Sequence, residues 1–161
     1  MPRFDNEARV TTSVLDRLID YEPETTQEPL ASRSKNLRQL KQSVKRDLEW
    51  LLNTRRTATD LPPDLLEINK SLAAYGLPDF TSINVRSEDD QELMRRAIAG
   101  AIKLFEPRLE AVTVTFEPLY EGELMMHFRI DGRLKVDPAP EPVTFDTILE
   151  PIHHQYVLQG E

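Results

Sequence analysis

From Asn36 onward the apolar residues Leu37, Leu40, Val44, Leu48 and Leu51 recur at spacings of three and four, which places them on one face of a helix. The pattern predicts a long helix ending near Asn53 to Arg56, ahead of the Leu61-Pro62-Pro63 break. Asp64 then caps a short helix running through Leu72. Tyr75-Gly76-Leu77-Pro78-Asp79-Phe80 reads as a tight loop, since Gly76 is free to adopt positive φ and Pro78 stops any helix. A brief extended piece is expected from Thr81 to Val85. Ser87 followed by Glu88, Asp89 and Asp90 is a helix start: the hydroxyl satisfies an orphan amide and the acids complement the N-terminal dipole. Met94, Ala97, Ile98, Ala101, Ile102 and Phe105 form the buried face of that second long helix.

Beyond Pro107 the period drops to two. Val112, Val114 and Phe116 alternate with Thr113, Thr115 and Glu117, as a half-buried strand requires. After a turn at Glu121-Gly122, Leu124, Met126, Phe128 and Ile130 alternate with Met125, His127, Arg129 and Asp131, predicting an antiparallel partner strand. A Pro-rich connection over Asp137 to Pro142 leads to a third strand, Val143 to Ile148, and Tyr156 to Leu158 adds a short edge strand. The expected fold is α+β, with N-terminal helices packed on a small, mainly antiparallel β-sheet. Ahead of it, Ser13 to Asp20 is amphipathic and Glu22 to Pro29 is polar and proline-punctuated. Residues 1–34 are therefore expected to be an adhesive peptide on a flexible tether, and residues 35–161 a single α+β domain.

Composition narrows the function. The 161 residues suffice for one core without staples. The chain has no cysteine, which removes disulfides and thiolate metal sites and suits a reducing compartment. The first twenty residues are charged throughout and no apolar run approaches a membrane span. A cytoplasmic protein, neither exported nor inserted directly in a membrane, is expected. Net charge is −8, yet Arg33 to Arg56 holds eight Lys/Arg against two Asp/Glu, so a basic stripe sits on an acidic body.

Catalytic and cofactor signals are weak. The five glycines are isolated, so no phosphate cradle is present. His127 lies on the polar side of its strand, and His153 and His154 point to opposite sides if extended, which argues against a metal constellation. With 28 acidic residues a pair of carboxylates can always be chosen, so abundance supports no glycosidase dyad. No cofactor, small-molecule substrate or nucleic-acid partner is expected.

Three features remain. Pro107 forces Glu106 out of helical geometry, so Glu106 and Arg108 flank a rigid helix-to-strand corner. The corner is either a proline stop with solvated charges or a preset clamp for charges on a partner. Arg38, Lys41 and Lys45 form a ridge beside the leucine stripe, which is either a solvated face or one turned to an acidic or phosphate surface. Trp50, the single tryptophan, lies off the stripe and either widens the buried face or anchors a partner, with core packing the expected role.

Several segments taken together resemble one family, the type VI secretion baseplate protein TssE, related to the small wedge protein of contractile-tail phage baseplates. They are Ser13-Val14-Leu15-Asp16-Arg17-Leu18, the run from Ser43 to Arg56 (SVKRDLEWLLNTRR), Tyr75 to Phe80, Phe105 to Leu109 and Phe128 to Gly132. The resemblance implies a non-catalytic subunit that joins other baseplate wedge subunits to contractile sheath proteins and helps sheath polymerisation begin. It also implies that Glu106, Pro107 and Arg108 are an interaction element. On that basis Leu15, Leu18 and Ile19 are expected to grip a wedge subunit. The open rims of the strands at Val143 to Ile148 and Tyr156 to Leu158 are expected to accept a sheath strand. Reversing the charges of Glu106 and Arg108 is expected to abolish sheath assembly and leave a folded monomer. The family has often carried a lysozyme-like label, so a peptidoglycan hydrolase is the rival, with a nucleic-acid binder on the basic helix behind it.

Overall fold

A computed structural model of the chain describes residues 13–18, 33–58, 61, 62, 64–84, 86–118, 125–150 and 155–159. Helix α1 spans Val14–Leu18 and α2 spans Arg33–Asn53. A single turn of helix, α3, covers Leu66–Asn69, and a 3-10 turn covers Leu72–Ala74. Helix α4 runs over Glu88–Phe105. Strands β1 (Leu109–Phe116), β2 (Met126–Leu134), β3 (Glu141–Glu150) and β4 (Gln155–Gln159) follow. The four strands form one sheet in the order β1-β2-β3-β4 with every pair antiparallel. The fold is α+β, with helices preceding the sheet.

The apolar stripe of α2 is the buried one: Leu40, Val44, Leu48, Leu51 and Leu52 join Met94, Ile98 and Ile102 of α4 against one face of the sheet. Leu48, Ile98 and Ile102 are fully shielded, and burying each such side chain contributes about 2 kcal/mol. The opposite face of the sheet carries the other residues of each alternation. There Arg129 bridges Asp146 (3.0 Å) and Glu117 (3.5 Å), and the Thr144 hydroxyl donates to Asp131 (2.8 Å), a solvated polar surface of the kind antiparallel sheets tolerate.

Start signals hold at α4, where the Ser87 hydroxyl accepts from the Asp90 amide (3.4 Å) and three acids occupy the first turn. They fail at α3. Leu65, not Asp64, precedes that helix, no side chain caps it, and none of its residues is buried, so the expected helix through Leu72 shrinks to one turn plus the 3-10 turn. The extended piece expected over Thr81 to Val85 is also absent: Thr81 and Ser82 form a turn, and Val85 lies outside the described residues. So do Leu124 and the Glu121-Gly122 turn.

Strand β1 departs from simple alternation. Between Glu110, opposite Arg133, and Thr113, opposite Asp131, one extra residue is accommodated as a bulge, with Ala111 at φ 52. Leu109 and Val114 differ by an odd number of positions, so a regular strand would send them to opposite faces. The bulge turns both into the core, where they are 5% and 3% exposed.

Among the described residues two buried side-chain polar atoms lack a hydrogen-bond partner, Arg56 Nε and Thr147 Oγ1, and the second belongs to the core strand β3. Thr147 of β3 is 1% exposed, and its Oγ1 has no hydrogen-bond partner among the described residues. Replacing it with valine keeps the shape and removes the desolvated hydroxyl. Thr147→Val is expected to stabilise the protein by about 1 kcal/mol, read as a rise in Tm of about 2–4 °C in a thermal melt.

Candidate functional site

Pro107 ends α4, and Glu106 at its C-terminal cap leaves helical geometry (φ −120, ψ 75). The chain turns at once into β1: the Leu109 amide donates to the Glu106 carbonyl (3.1 Å), and the Lys135 amide donates to the Arg108 carbonyl (2.9 Å). Lys135 Nζ adds a bond to the Pro107 carbonyl (2.8 Å). The corner is thus rigid, as the proline requires.

Its charges, however, turn inward. Glu106 is 3% exposed, and Arg108 Nε donates to its Oε1 (2.6 Å) while Nη2 donates to Oε2. The same guanidinium reaches across to α2, where Nη1 donates to Ser43 Oγ (2.9 Å) and Nη2 to Asp47 Oδ2 (2.5 Å). Asp47 also accepts from Arg46 Nε and Nη2 (3.0 and 2.9 Å). The hydrogen bonds to Glu106, and then those to Asp47, hold the Arg108 guanidinium protonated far above its ordinary range, against the opposing effect of burial. Two acids and two arginines balance, so the corner is a neutral staple joining α2 to the helix-to-sheet junction. Tyr75, edge-on to Phe105 at 5.1 Å, borders the staple; burial and the Asp47 and Glu106 charges raise its hydroxyl pKa.

This alters two expectations. Solvated charges do not describe Glu106, which is a buried carboxylate satisfied by its own chain. Reversing both charges is also expected to weaken the fold, because it would set an acid at position 108 against Asp47 of α2. Ser43 and Asp47, which lie in the run from Ser43 to Arg56, are not among the candidate residues named from the sequence. Their signal was present in the i, i+4 spacing of two small polar residues flanking the leucine stripe.

The other candidate residues are dispersed. On α1, Leu15 is 44% and Leu18 76% exposed, and Ile19 lies outside the described residues. On α2, Arg38 is exposed, and Lys41 and Lys45 are half-buried. Trp50 corrects another expectation: it is 56% exposed, with the Arg46 guanidinium over its ring at 5.4 Å, because its position on α2 faces away from both α4 and the sheet. Leu65, Leu66, Ile68 and Leu72 form a second exposed apolar group around α3.

The strand rims also differ from expectation. Val143 to Ile148 lies within β3, which is paired with β2 on one side and β4 on the other and has no open rim. Among the described residues only β1 and β4 are edges. β4 packs through Tyr156, whose ring meets Phe128 edge-to-face (6.0 Å) and whose hydroxyl pKa is pushed up to about 12 by burial. His127 sits half-buried on β2, and His153 and His154 lie outside the described residues. Among the described residues no cluster of His, Asp or Glu could hold a metal ion, and no helix is long and apolar enough to cross a membrane.

A family model described as baseplate wedge protein gp25 matches residues 38–139, more than half of the chain. The match runs from α2 through the Glu106-Pro107-Arg108 corner and the β1-β2 hairpin. No curated protein matches the sequence.

Proposed function

The chain belongs to the baseplate wedge protein gp25 family, a structural component of baseplates, and from that premise we propose that it is the non-catalytic subunit linking wedge components to the contractile sheath of a type VI secretion system. In this reading it acts in the cytoplasm. Residues 1–34 act as the adhesive peptide, which includes α1, and residues 35–161 form the docking domain.

The observation that carries the reading is the state of β4. It is an edge strand of only five residues, Gln-Tyr-Val-Leu-Gln, with no charge and no proline in a chain whose residues are 30% charged. Edge strands without such guards recruit further strands. Backbone pairing to a sheath strand sets register with little demand on sequence, which suits a surface that must start a polymer. Leu15, Leu18 and Ile19 bind a wedge subunit through apolar contact. At the corner, Pro107 and the partly exposed Arg108 meet a partner, and Glu106, Ser43 and Asp47 hold the guanidinium in place. The basic ridge of Arg38, Lys41 and Lys45 meets an acidic protein surface.

Separable variants test the proposal in a co-purification of the full chain with wedge and sheath proteins. Leu15→Asp with Leu18→Asp is expected to lose the wedge proteins and keep the sheath. Val157→Lys, which sets a charge on the exposed side of β4, is expected to do the reverse. Retention of both partners by both variants would contradict the assignment.

A further inference from the structure

Asn53, the last residue of α2, is bonded to β4 in an unusual way. Its Nδ2 donates to the Tyr156 carbonyl (2.8 Å) and its Oδ1 accepts from the Tyr156 amide (2.8 Å). A side-chain amide carries one donor and one acceptor side by side, so this pair reproduces what the backbone of a neighbouring antiparallel strand would offer Tyr156. Nδ2 also donates to the Glu49 carbonyl (2.9 Å), which fixes the amide to its own helix.

The bonds define which backbone groups line the rim. In an antiparallel ladder, successive residues turn their N–H and C=O alternately toward and away from the paired strand. Tyr156 stands opposite Leu149 and bonds outward to Asn53, so Leu158, opposite Thr147, also turns outward. Gln155, Val157 and Gln159 face β3. The outer rim of β4 therefore has two strand-pairing positions within the described residues, and one is occupied from within the chain.

We propose that Asn53 is a gate on the β4 rim: a strand from a neighbouring subunit pairs first at Leu158 and reaches Tyr156 only by displacing the Asn53 amide. The device would keep an otherwise unguarded edge from pairing indiscriminately before its partner arrives. It rests on the reading that β4 receives a strand, and adds how access to it is controlled.

The test uses the full chain and Asn53→Ala. Amide exchange at Tyr156 is expected to become about tenfold faster, the factor carried by one hydrogen bond of ordinary net strength. The apparent mass is expected to rise with concentration more steeply than the parent's as copies pair edge to edge, and Val157→Lys on top should reverse that rise. Unchanged exchange of the α2 amides at Leu51 and Leu52 in Asn53→Ala guards against a trivial loss of the helix end. Unchanged Tyr156 exchange and unchanged mass in a folded Asn53→Ala protein would overturn the gate. Sheath capture separates the two claims. If Val157→Lys abolishes capture and Asn53→Ala changes neither exchange nor mass, docking stands and the gate falls. If Asn53→Ala exposes Tyr156 and drives association yet capture ignores Val157→Lys, the gate stands and docking falls.

Discussion

Arg108→Met is expected to cost about 3 kcal/mol of stability, more than a surface ion pair and near the low end for breaking a buried one. The arginine bridges a carboxylate that is 3% exposed and Asp47 on α2, so its loss strips Glu106 of the guanidinium that compensates its burial. Its own side chain is still 23% exposed, which places the cost at the lower end of that range. The double variant Glu106→Gln with Arg108→Met should recover about 1–2 kcal/mol of the loss, because no buried charge remains unpaired. Urea denaturation of the single and double variants measures both. A neutral Arg108→Met would mean that the staple contributes nothing to the fold. The consequence for function is practical: loss of sheath assembly in a variant of this corner says nothing about partner binding until the protein is shown to be folded.

Gly76→Ala is the second large effect, with an expected cost of about 3 kcal/mol from backbone strain and lost hydrogen bonds. Gly76 sits at φ +98, where side chains are strained, and a Cβ there would lie 2.3 Å from the Thr54 carbonyl oxygen. Relief requires the loop to move off the end of α2. That movement breaks the bonds from the Leu77 amide to the Thr54 carbonyl (2.8 Å) and from the Arg56 amide to the Leu77 carbonyl (2.7 Å). Gly100→Ala is the control. It lies in the middle of α4, a Cβ there meets nothing within 4 Å, and the change should stabilise the helix by about 0.5–1 kcal/mol. Thermal melts of the pair should move in opposite directions.

Local periodicity made much of the architecture legible. The spacing of Leu40, Val44, Leu48 and Leu51 and the alternation of Met126, Phe128 and Ile130 each reflect one face turned to one core, and the structure buries those residues. Gly76 was legible too, since few residues tolerate its conformation. Features that depend on distant pairing were not. The bulge that brings Leu109 and Val114 to the same face has no glycine within it, since Ala111 carries the positive φ, and Gly132 stands opposite it only through the long-range pairing of β1 with β2. The inner position of β3 follows from strand order, which alternation within a strand does not encode. At the corner, proline marked a rigid break, but whether Glu106 meets solvent or Arg108 and α2 depends on contacts spanning 61 and 65 positions of chain. Trp50 shows the converse error: a large apolar residue beside a buried stripe need not be buried, and the Arg46 guanidinium over its ring gives it a surface partner.

Amide exchange on the chain bound to sheath protein addresses the central claim most directly. Docking by strand addition on β4 predicts new protection at Leu158, whose amide faces the open rim, and unchanged exchange at Val114 and Phe116 of β1. Protection that appears along β1 instead, or no change at Leu158 in a complex that has formed, would contradict it.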